Sequence, residues 1–145
     1  MDEQLRLENQ LCFPLYACAR KITSLYTPMF KPLGLTYTQY IVFLALWEHD
    51  NVPVSDLCHR LYLDSGTLTP LLKKMEQEGY LTRTRSKEDE RVVNIRLTEK
   101  GIALKDQVQD IPMQVGNCIR LSPEEAFTLH TLLYKVLEQE EAYGG

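Results

Sequence analysis

The chain opens with segments in which apolar residues recur at a helical period. A first long helix is predicted over about residues 10–30. Asn9 and Pro14 indicate its start, and TPMFKPLG, residues 27–34, ends it with two prolines and a glycine. A second helix is predicted in TYTQYIVFLALWEH, which begins at a candidate N-cap, Thr36 or Thr38. We expect this helix to place three large residues along one side, namely Tyr40, Leu44 and Trp47.

Two shorter helices are predicted to follow a turn at NVPV. The first is VSDLCHRL, in which apolar residues stand at i, i+3, i+4 and i+7, namely Val54, Leu57, Cys58 and Leu61. The second is capped by Asp64 or Ser65, runs to about Glu78 and is ended by Gly79. Its apolar stripe has the same spacing and consists of Leu68, Leu71, Leu72 and Met75.

The period changes after residue 79. YLTRTR and RVVNIRL are rich in β-branched residues and flank the charged run SKEDE, so they predict a β-hairpin over residues 80–97. TEKGIALKDQVQDI returns to helix after Thr98. GNCIRLS is expected to connect two helices, and the final helix begins in SPEEAFTLHTLLYKVLEQEE. That helix has Ser122 as N-cap, Pro123 at its first position and Glu125 at the capping-box position.

Composition places this pattern in one ordinary globular domain of 145 residues, 44% apolar and 25% charged. YIVFLALW, the longest apolar run, is too short to span a bilayer, and the polar N-terminus lacks an apolar signal segment. We therefore expect a cytoplasmic protein without a membrane partner. The net charge of −4 argues against nucleic-acid binding. However, the segment from Ser65 to Lys87 contains five cationic and two anionic residues, which predicts a local basic face on an acidic body.

Two short helices joined by a turn and followed by a basic hairpin predict a winged helix-turn-helix. The outward face of the 64–78 helix is small and polar at one end and cationic further along, as a helix that enters the major groove requires. The alternatives are an ordinary solvated helix and a generic charged hairpin. The candidate DNA-contacting residues on the helix and hairpin are Ser65, Thr67, Thr69, Pro70, Lys73, Lys74, Arg83, Arg85, Lys87, Asp89 and Arg91.

LDSGTLTPLLKKMEQEGYLTRTRSKEDERVVNIRLTEKG, residues 63–101, resembles the MarR family of winged-helix regulators. DER matches that family's D-x-R wing motif, which implies that Arg91 enters the minor groove and that Asp89 orients it. QLCFPLYACARKITSLYTPMFKPLGLTYTQYIVFLALWE, residues 10–48, is similar to the OhrR-type organic hydroperoxide sensors and to the thiol-based staphylococcal regulators. Pro14 departs from this pattern, because a helix former is expected there.

The resemblance implies a mainly α fold with a small β-hairpin wing and an intertwined homodimer. It also implies a single domain over residues 1–145. Dimerisation helices at about 10–35 and 99–145 would flank a winged helix-turn-helix at about 36–98. The implied partners are a second copy of the chain and a pseudo-palindromic double-stranded DNA operator. No cofactor and no enzymatic activity are expected.

Four cysteines are present, and their spacing matches no zinc pattern. The resemblance implies that Cys12 is the peroxide-reactive thiol and that Tyr16, Tyr26 and Tyr37 hydrogen-bond it. On the residues alone, Cys12 would be interpreted as a small buried hydrophobic residue. The sensor chemistry is nevertheless physically reasonable. Amide N–H groups and the positive dipole end in the first turn of a helix favour the thiolate. Cys58 is expected in the core and Cys18 in a structural role.

Cys118 lies in GNCIRLS. Some OhrR-type proteins carry a second cysteine in this region that forms an intersubunit disulfide with the sensor. Cys118 is therefore a candidate resolving thiol, and a partly exposed bystander thiol is the alternative.

Three functions are compatible with these residues. The first is a transcriptional repressor released from its operator when organic hydroperoxide oxidises Cys12. The second is a MarR-type regulator released by a small aromatic ligand between the dimerisation and DNA-binding regions. The third is a thiol peroxidase, which would leave the basic helix and wing unexplained and for which no recycling motif is evident.

Overall fold

The computed structural model describes residues 2–139 and has a mainly helical fold with a small antiparallel sheet, as predicted. Three short 3-10 helices cover Glu3–Leu5, Leu7–Asn9 and Lys31–Leu33. The regular elements are α1 (Cys12–Phe30), α2 (Tyr37–Glu48), β1 (Val52–Pro53), α3 (Val54–Leu61), α4 (Ser65–Gln77), β2 (Leu81–Arg85), β3 (Val93–Leu97), α5 (Glu99–Val108), α6 (Ile111–Ile119) and α7 (Pro123–Leu137). The wing hairpin is β2–β3, and the sheet order is β1-β3-β2.

Side-chain caps begin four of the predicted helices, among them α5, where the Thr98 hydroxyl accepts from the Gly101 amide at 3.3 Å. The Thr36 hydroxyl accepts a hydrogen bond from the Gln39 amide, and the Gln39 side chain accepts one from the Thr36 amide, so α2 begins with a capping box. Asp64 caps α4 by accepting from Thr67 N at 2.7 Å. A second capping box, between Ser122 and Glu125, begins α7. Each cap satisfies amides that have no partner within their helix.

The start of α1 differs from the prediction based on Asn9. The N-cap residue is Leu11, which makes no side-chain cap, and the Asn9 side chain instead donates to the carbonyl oxygen of Glu3 at 2.7 Å. Pro14 occupies the third position of the helix. The amide at that position has no intrahelical partner in any α-helix, so a proline there removes no hydrogen bond. The departure from the family pattern at Pro14 therefore leaves the first turn intact.

Three further predictions were wrong. NVPV is not only a turn, since Val52 pairs with Ile95 and makes a third strand. GNCIRLS is not a connection between helices, because α6 continues to Ile119 and places Cys118 in its last turn. The prediction that Leu44 lies with Tyr40 and Trp47 on the apolar side of α2 is also wrong, because Leu44 is 43% exposed. Neighbouring positions Val42, Phe43, Ala45 and Leu46 are buried instead, because α2 is surrounded by other elements over most of its circumference.

One hydrophobic core joins the end of α1 to α2, α3, α4, the sheet, α5 and the start of α6. Its fully buried side chains include Phe30, Phe43, Leu57, Leu72 and Ile95. The predicted stripe of α4 faces this core, with Leu68, Leu72 and Met75 buried and Leu71 packed against them. No helix in the described part of the chain combines the length and apolar character needed to cross a bilayer.

Candidate DNA interface and candidate sensor thiol

The outward face of α4 carries the predicted small and cationic residues. The side chains of Ser65, Thr67, Pro70, Lys73 and Lys74 are exposed, and that of Thr69 is half-buried. The Asp64 cap fixes where this face begins, because it satisfies the Thr67 amide. α4 therefore presents hydroxyls and a backbone without bulky side chains at its start, and two lysines about two turns later. This layout suits insertion into a major groove with lysine contacts to phosphate.

Pro70 lies inside α4, at its sixth position. A proline there removes the hydrogen bond that would otherwise reach the carbonyl oxygen of Gly66. Gly66 and Pro70 both lie on the exposed face, where water can satisfy that carbonyl. The proline is consequently tolerated on the face that α4 turns away from the core.

At the wing tip, hydrogen bonds to Asp89 fix the orientation of Arg91. Asp89 Oδ1 accepts hydrogen bonds from Arg91 N at 3.0 Å and Arg91 Nε at 3.1 Å, and its Oδ2 accepts from Arg91 Nη2 at 3.2 Å. The Arg91 side chain is nevertheless 91% exposed. Hydrogen bonds from the Arg91 side chain and backbone lower the pKa of the Asp89 carboxyl. Asp89 thus aims an exposed guanidinium outward, which is the arrangement that the D-x-R resemblance implied.

The two arginines of β2 are less free than their alternation suggested. Arg83 pairs with the core residue Ile95 across the sheet, so its side chain lies on the face that packs against the body. Its guanidinium lies 3.8 Å from the carboxylate of Glu76 on α4, and the same carboxylate accepts from Arg83 N at 3.0 Å. Arg85 Nη1 donates to the carbonyl oxygen of Glu90 at 2.7 Å. Arg83 therefore ties the wing to α4, and Arg85 braces the wing tip.

A cleft of about 420 Å³ separates α3 and α4 from the wing. Its lining includes Ser55, Cys58, Thr69, Arg83 and Arg91. Burial, followed by the nearby carboxylate of Asp64, raises the pKa of the Cys58 thiol. Cys58 also packs against the core, in agreement with its predicted role, and a protonated thiol there is a poor nucleophile.

Cys12 is the first residue of α1, and its side chain is exposed. Tyr16, one turn further along the helix, is also exposed and stacks against Arg20, whose guanidinium lies 5.6 Å from the ring centroid. No hydrogen bond to Cys12 is present among the described residues. Within one chain, the thiol therefore stands open at a helix N-terminus.

Tyr26 and Tyr37 lie together but away from Cys12. Their ring centroids are 4.9 Å apart, and both pack beside Tyr40 in an aromatic cluster that includes Phe30. Burial raises the pKa of both hydroxyls, and for Tyr26 the neighbouring Tyr37 adds to the effect. Fourteen residues of α1 separate Cys12 from Tyr26, which is about 21 Å along a helix axis. The structure thus brings the two tyrosines to each other and not to the thiol of the same chain.

Large apolar side chains on α1 and α7 are exposed within the described chain. α7 buries none of its residues, and its large apolar side chains are between 38% exposed at Leu133 and 73% exposed at Phe127. The exposed apolar residues of these two helices are Phe13, Leu15, Tyr16, Phe127, Leu129, Leu132, Leu133, Tyr134, Val136 and Leu137. Cys12 lies at the beginning of α1, next in sequence to the exposed apolar residues of that helix.

The other exposed cysteines are Cys18 and Cys118, and all four thiols are free. The prediction that Cys18 is a structural residue is wrong within the single chain, since the half of α1 that carries it packs on little of the core. Among residues 2–139, no cluster of His, Cys, Asp or Glu has the arrangement of a metal site.

The sequence analysis missed two residues that position this interface, Glu76 and Gln39. Glu76 lies seven residues before Arg83, and no regular spacing relates a helix residue to a following strand. Gln39 completes the cap of α2 and also donates to Glu78 Oε1 at 3.3 Å. The T-x-x-Q pattern from Thr36 to Gln39 signals the cap, but the contact with Glu78 has no local signal.

Comparison with known proteins agrees with this geometry. Residues 24–108 match the family described as transcriptional regulator SarA/Rot. The organic hydroperoxide resistance transcriptional regulator of Bacillus subtilis (strain 168) is 49% identical over 136 residues, which cover 94% of this chain and 92% of that protein.

Solved structures with the same architecture include DNA-bound regulators. Reduced AbfR of Staphylococcus epidermidis bound to DNA superposes with a TM-score of 0.78 at 36% identity, covering 94% of each chain. The disulfide form of AbfR gives a TM-score of 0.66 at 35% identity, covering 94% of this chain and 96% of that one. A mutant MarR from E. coli complexed with operator DNA gives a TM-score of 0.80 at 26% identity, covering 88% and 93%.

The winged helix-turn-helix, the outward-facing α4 and the match over more than half the chain lead to one assignment. This chain belongs to the SarA/Rot/MarR-type family of winged-helix transcriptional regulators.

Proposed function

We propose that this regulator is a homodimeric repressor that organic hydroperoxide releases from its operator by oxidising Cys12. The observation that carries this proposal is the position of Cys12. The thiol stands exposed at the first residue of α1, and it borders the exposed apolar residues Phe13, Leu15 and Tyr16 of that helix. The thiol therefore lies where a second chain would contact it.

A dimer is supported by the exposed apolar residues of α1 and α7, because soluble monomers rarely leave surfaces of this kind uncovered. We assign residues of about 10–35 and 99–145 to dimerisation and about 36–98 to DNA binding, although 140–145 lie outside the described residues. In such a two-fold dimer, the partner subunit would supply the tyrosine pair equivalent to Tyr26 and Tyr37, which a single chain cannot bring to Cys12.

DNA binding is assigned to α4 and the wing tip. α4 would enter the major groove of each half-site through its exposed hydroxyl and lysine face, and Arg91 would reach the minor groove beside it. Lys87 is exposed on the wing and suits a phosphate contact. Arg83 and Arg85 would contribute by holding the wing, because their guanidinium groups are engaged with Glu76 and Glu90.

The chemistry needs only the thiols and the peroxide. The Cys12 thiolate attacks the peroxide and breaks the O–O bond, which gives a sulfenic acid and releases an alcohol. The thiol of Cys118 in the other subunit then attacks the sulfenic sulfur, forms a disulfide and releases water. Closing that bond requires the two Cα atoms to approach within about 7 Å, so the terminal helices move if they begin further apart. Such a shift would displace the two α4 helices from successive major grooves.

The relatives support this proposal without assigning its residues. The Bacillus subtilis relative is named for organic hydroperoxide resistance, and AbfR has been solved in a reduced DNA-bound form and in a disulfide form. This chain superposes better on the reduced DNA-bound form than on the disulfide form, with TM-scores of 0.78 and 0.66. Because a regulator of this kind acts on the chromosome, we propose that it works in the cytoplasm.

The test is operator binding before and after treatment with about one equivalent of cumene hydroperoxide, with non-reducing electrophoresis of the same samples. The wild type should lose binding and show a disulfide-linked dimer. Cys12→Ser should bind DNA and ignore the peroxide, whereas Cys118→Ser should respond without the dimer band. Cys18→Ser provides the matched control, since Cys18 is an exposed thiol on the same helix. A Cys12→Ser variant that still responds would contradict the proposal.

The cleft between α4 and the wing favours one alternative, release by a small aromatic ligand. It places Arg83 and Arg91 beside half-buried apolar side chains, although it lies within the DNA-binding region and not between that region and the dimerisation helices. A ligand response that survives Cys12→Ser would support this alternative. Steady-state peroxide turnover with a thiol reductant would indicate a thiol peroxidase, an activity for which the relatives, all regulators, offer no support.

A further inference from the structure

Gln39 is the one polar or charged residue within residues 2–139 that is buried, with 1% of its surface exposed. A buried side-chain amide is costly unless both its ends are hydrogen-bonded. Gln39 Oε1 accepts from Thr36 N at 3.1 Å, and Gln39 Nε2 donates to Glu78 Oε1 at 3.3 Å. The acceptor end thus completes the cap of α2, and the donor end is left for a residue 39 positions away in the sequence.

Glu78 is the C-cap residue of α4. The bond from Gln39 is the hydrogen bond that joins a side chain of α2 to α4 in the described part of the chain. Glu78 is held from a second side as well, because Lys100 Nζ donates to its carbonyl oxygen at 2.6 Å. The end of the recognition helix is therefore positioned by polar contacts and not by apolar packing alone.

The first turn of α2 also carries the aromatic cluster. Tyr37 is the first residue of α2 and Tyr40 the fourth, so both lie within one turn of Gln39. Tyr37 packs on Tyr26 with a centroid distance of 4.9 Å, and Tyr40 packs on Phe30 at the same distance. This single turn consequently touches the tyrosine pair through its rings and the end of the recognition helix through the Gln39 amide.

We infer that Gln39 is a positioning residue that couples the tyrosine pair to the recognition helix. This inference rests on the proposed function, in which the pair contacts Cys12 of the partner subunit. When oxidation of Cys12 changes the contacts of Tyr26 and Tyr37, the first turn of α2 shifts. The hydrogen bond from Gln39 to Glu78 then either moves Glu78 with that turn or breaks. The angle at which α4 meets the DNA then changes. Coupling of two sites through such a link contributes typically 5- to 150-fold to an affinity ratio.

The side-chain chemistry explains why glutamine and not glutamate suits this site. Glutamate at the third helical position completes a capping box equally well. A carboxylate at residue 39 would, however, face the carboxylate of Glu78 with no proton between them. Gln39→Glu therefore keeps the cap and the side-chain size while turning one hydrogen bond into a repulsion. The double variant Q39E/E78Q restores a hydrogen bond with donor and acceptor exchanged.

The experiment measures the operator Kd of reduced and of cumene hydroperoxide-treated protein, and the ratio of the two is the readout. We expect Gln39→Glu and Glu78→Ala to reduce the oxidised-to-reduced ratio at least about fivefold, and Q39E/E78Q to recover most of it. If Gln39→Glu does not fold, the ratio is measured on Glu78→Ala, which should fold because Glu78 is only half-buried. Thr38→Ala is the control. It lies in the same turn, is exposed, and is hydrogen-bonded only to Thr36, so the ratio should not change.

A merely structural role for Gln39 would weaken both states equally and leave the ratio unchanged, which would overturn the inference. Failure of Q39E/E78Q to recover the ratio would overturn it too, because the pair would then not be the link. A wild type whose DNA binding ignores hydroperoxide would overturn the proposed function and this inference together. If the wild type responds to hydroperoxide and the variants have the same ratio of Kd values as the wild type, the inference about Gln39 is overturned and the proposed function stands.

Discussion

Arg91 combines a side chain that is 91% exposed with a defined orientation. Its bond to Asp89 restricts the guanidinium to one direction, so less conformational entropy is lost when it meets DNA. Arg83 shows the opposite arrangement, since its guanidinium is half-buried against Glu76 and its Nε is buried without a partner. Two arginines of one wing thus have different tasks, and their surroundings distinguish them where the residue type does not.

Arg91→Ala is expected to weaken operator binding by about 1–3 kcal/mol and to lower the slope of affinity against salt by about one. The cause is the loss of one DNA contact and of the counterions that it displaces. Fluorescence anisotropy across a salt series measures both quantities. Lys105→Ala on α5 removes the same charge outside α4 and the wing, and it should leave both quantities unchanged. Equal effects from the two variants would refute the role of the wing tip.

The Asp89–Arg91 bond is expected to be insensitive to pH in the neutral range. Arg91 lowers the pKa of Asp89 below its ordinary value of 3.8, so the carboxylate stays ionised and the bond intact above that value. The bond is lost only as the pH falls through the lowered pKa. An NMR titration of the Asp89 carboxyl should therefore show a midpoint below 3.8. A midpoint at 3.8 or above would mean that Arg91 is not bonded to Asp89 in solution.

Tyr26→Phe is expected to slow the oxidation of Cys12 by about tenfold. In the proposed dimer Tyr26 donates a charge-assisted hydrogen bond to the Cys12 thiolate of the other subunit, and the variant loses this bond. Burial raises the pKa of the Tyr26 hydroxyl above its ordinary value of 10.0, so it remains a donor throughout pH 6–9. Stopped-flow measurement of sulfenic acid formation against pH provides the test. Tyr62→Phe, an exposed tyrosine at the end of α3, is the control. Equal rates for wild type and Tyr26→Phe would remove Tyr26 from the sensor.

Helix α4 depends on its cap for the position of its outward face. Asp64 accepts from Thr67 N, and without that bond the first turn would fray where Ser65 and Thr67 are presented. The interior Pro70 already costs α4 one hydrogen bond, which leaves the cap a larger share of the stability of this first turn.

Asp64→Ala is expected to lower the free energy of unfolding by about 1 kcal/mol, which corresponds to a fall in Tm of about 2–4 °C. It should also weaken operator binding, because the first turn of α4 becomes less ordered. Thermal denaturation followed by circular dichroism measures the stability. Asp110→Ala is a matched control, since Asp110 is the N-cap residue of α6 but makes no side-chain cap. A Tm equal to that of the wild type would show that the cap is not needed.

Helix α7 and the first half of α1 carry large apolar side chains that the described chain does not cover. α7 has an N-terminal capping box and regular geometry, yet it buries nothing within the described chain. A helix of 15 residues is marginal in water without tertiary packing. A second copy that covers α7 would therefore supply the packing that keeps it folded, in addition to bringing the tyrosine pair to Cys12.

Leu133→Glu is expected to convert a dimer into a monomer, because it places an unpaired charge in an apolar contact and removes about 1.5–3 kcal/mol of burial per subunit. Operator affinity should fall as dimerisation is lost, because a monomer contacts only one half-site. Analytical ultracentrifugation at micromolar concentration provides the measurement. Gln109→Glu, which adds the same charge at an exposed position next to α5, is the control. A wild type that sediments as a stable monomer would refute the dimer.

Most of the fold was predictable because helices, caps and the hairpin arise from contacts between residues close in sequence. The Leu68 to Met75 stripe, the Asp64 and Ser122 caps and the β-branched wing strands each have a local physical cause. The predictions at Asn9 and at residues 116–122 failed because such local preferences are weak. Tertiary packing extended α6 through Gly116 and Cys118 despite them.

The amino-acid order also determined which side chains could do chemistry: the thiol of Cys12 in a first turn, the D-x-R wing and the cationic end of α4. It did not determine which of these groups are free to act. Only the folded chain pairs Arg83 with Glu76, joins Gln39 to Glu78 and packs Tyr26 on Tyr37. The reason is that these contacts lie between different elements, so they depend on how helices and strands pack and not on the spacing of residues along any one of them.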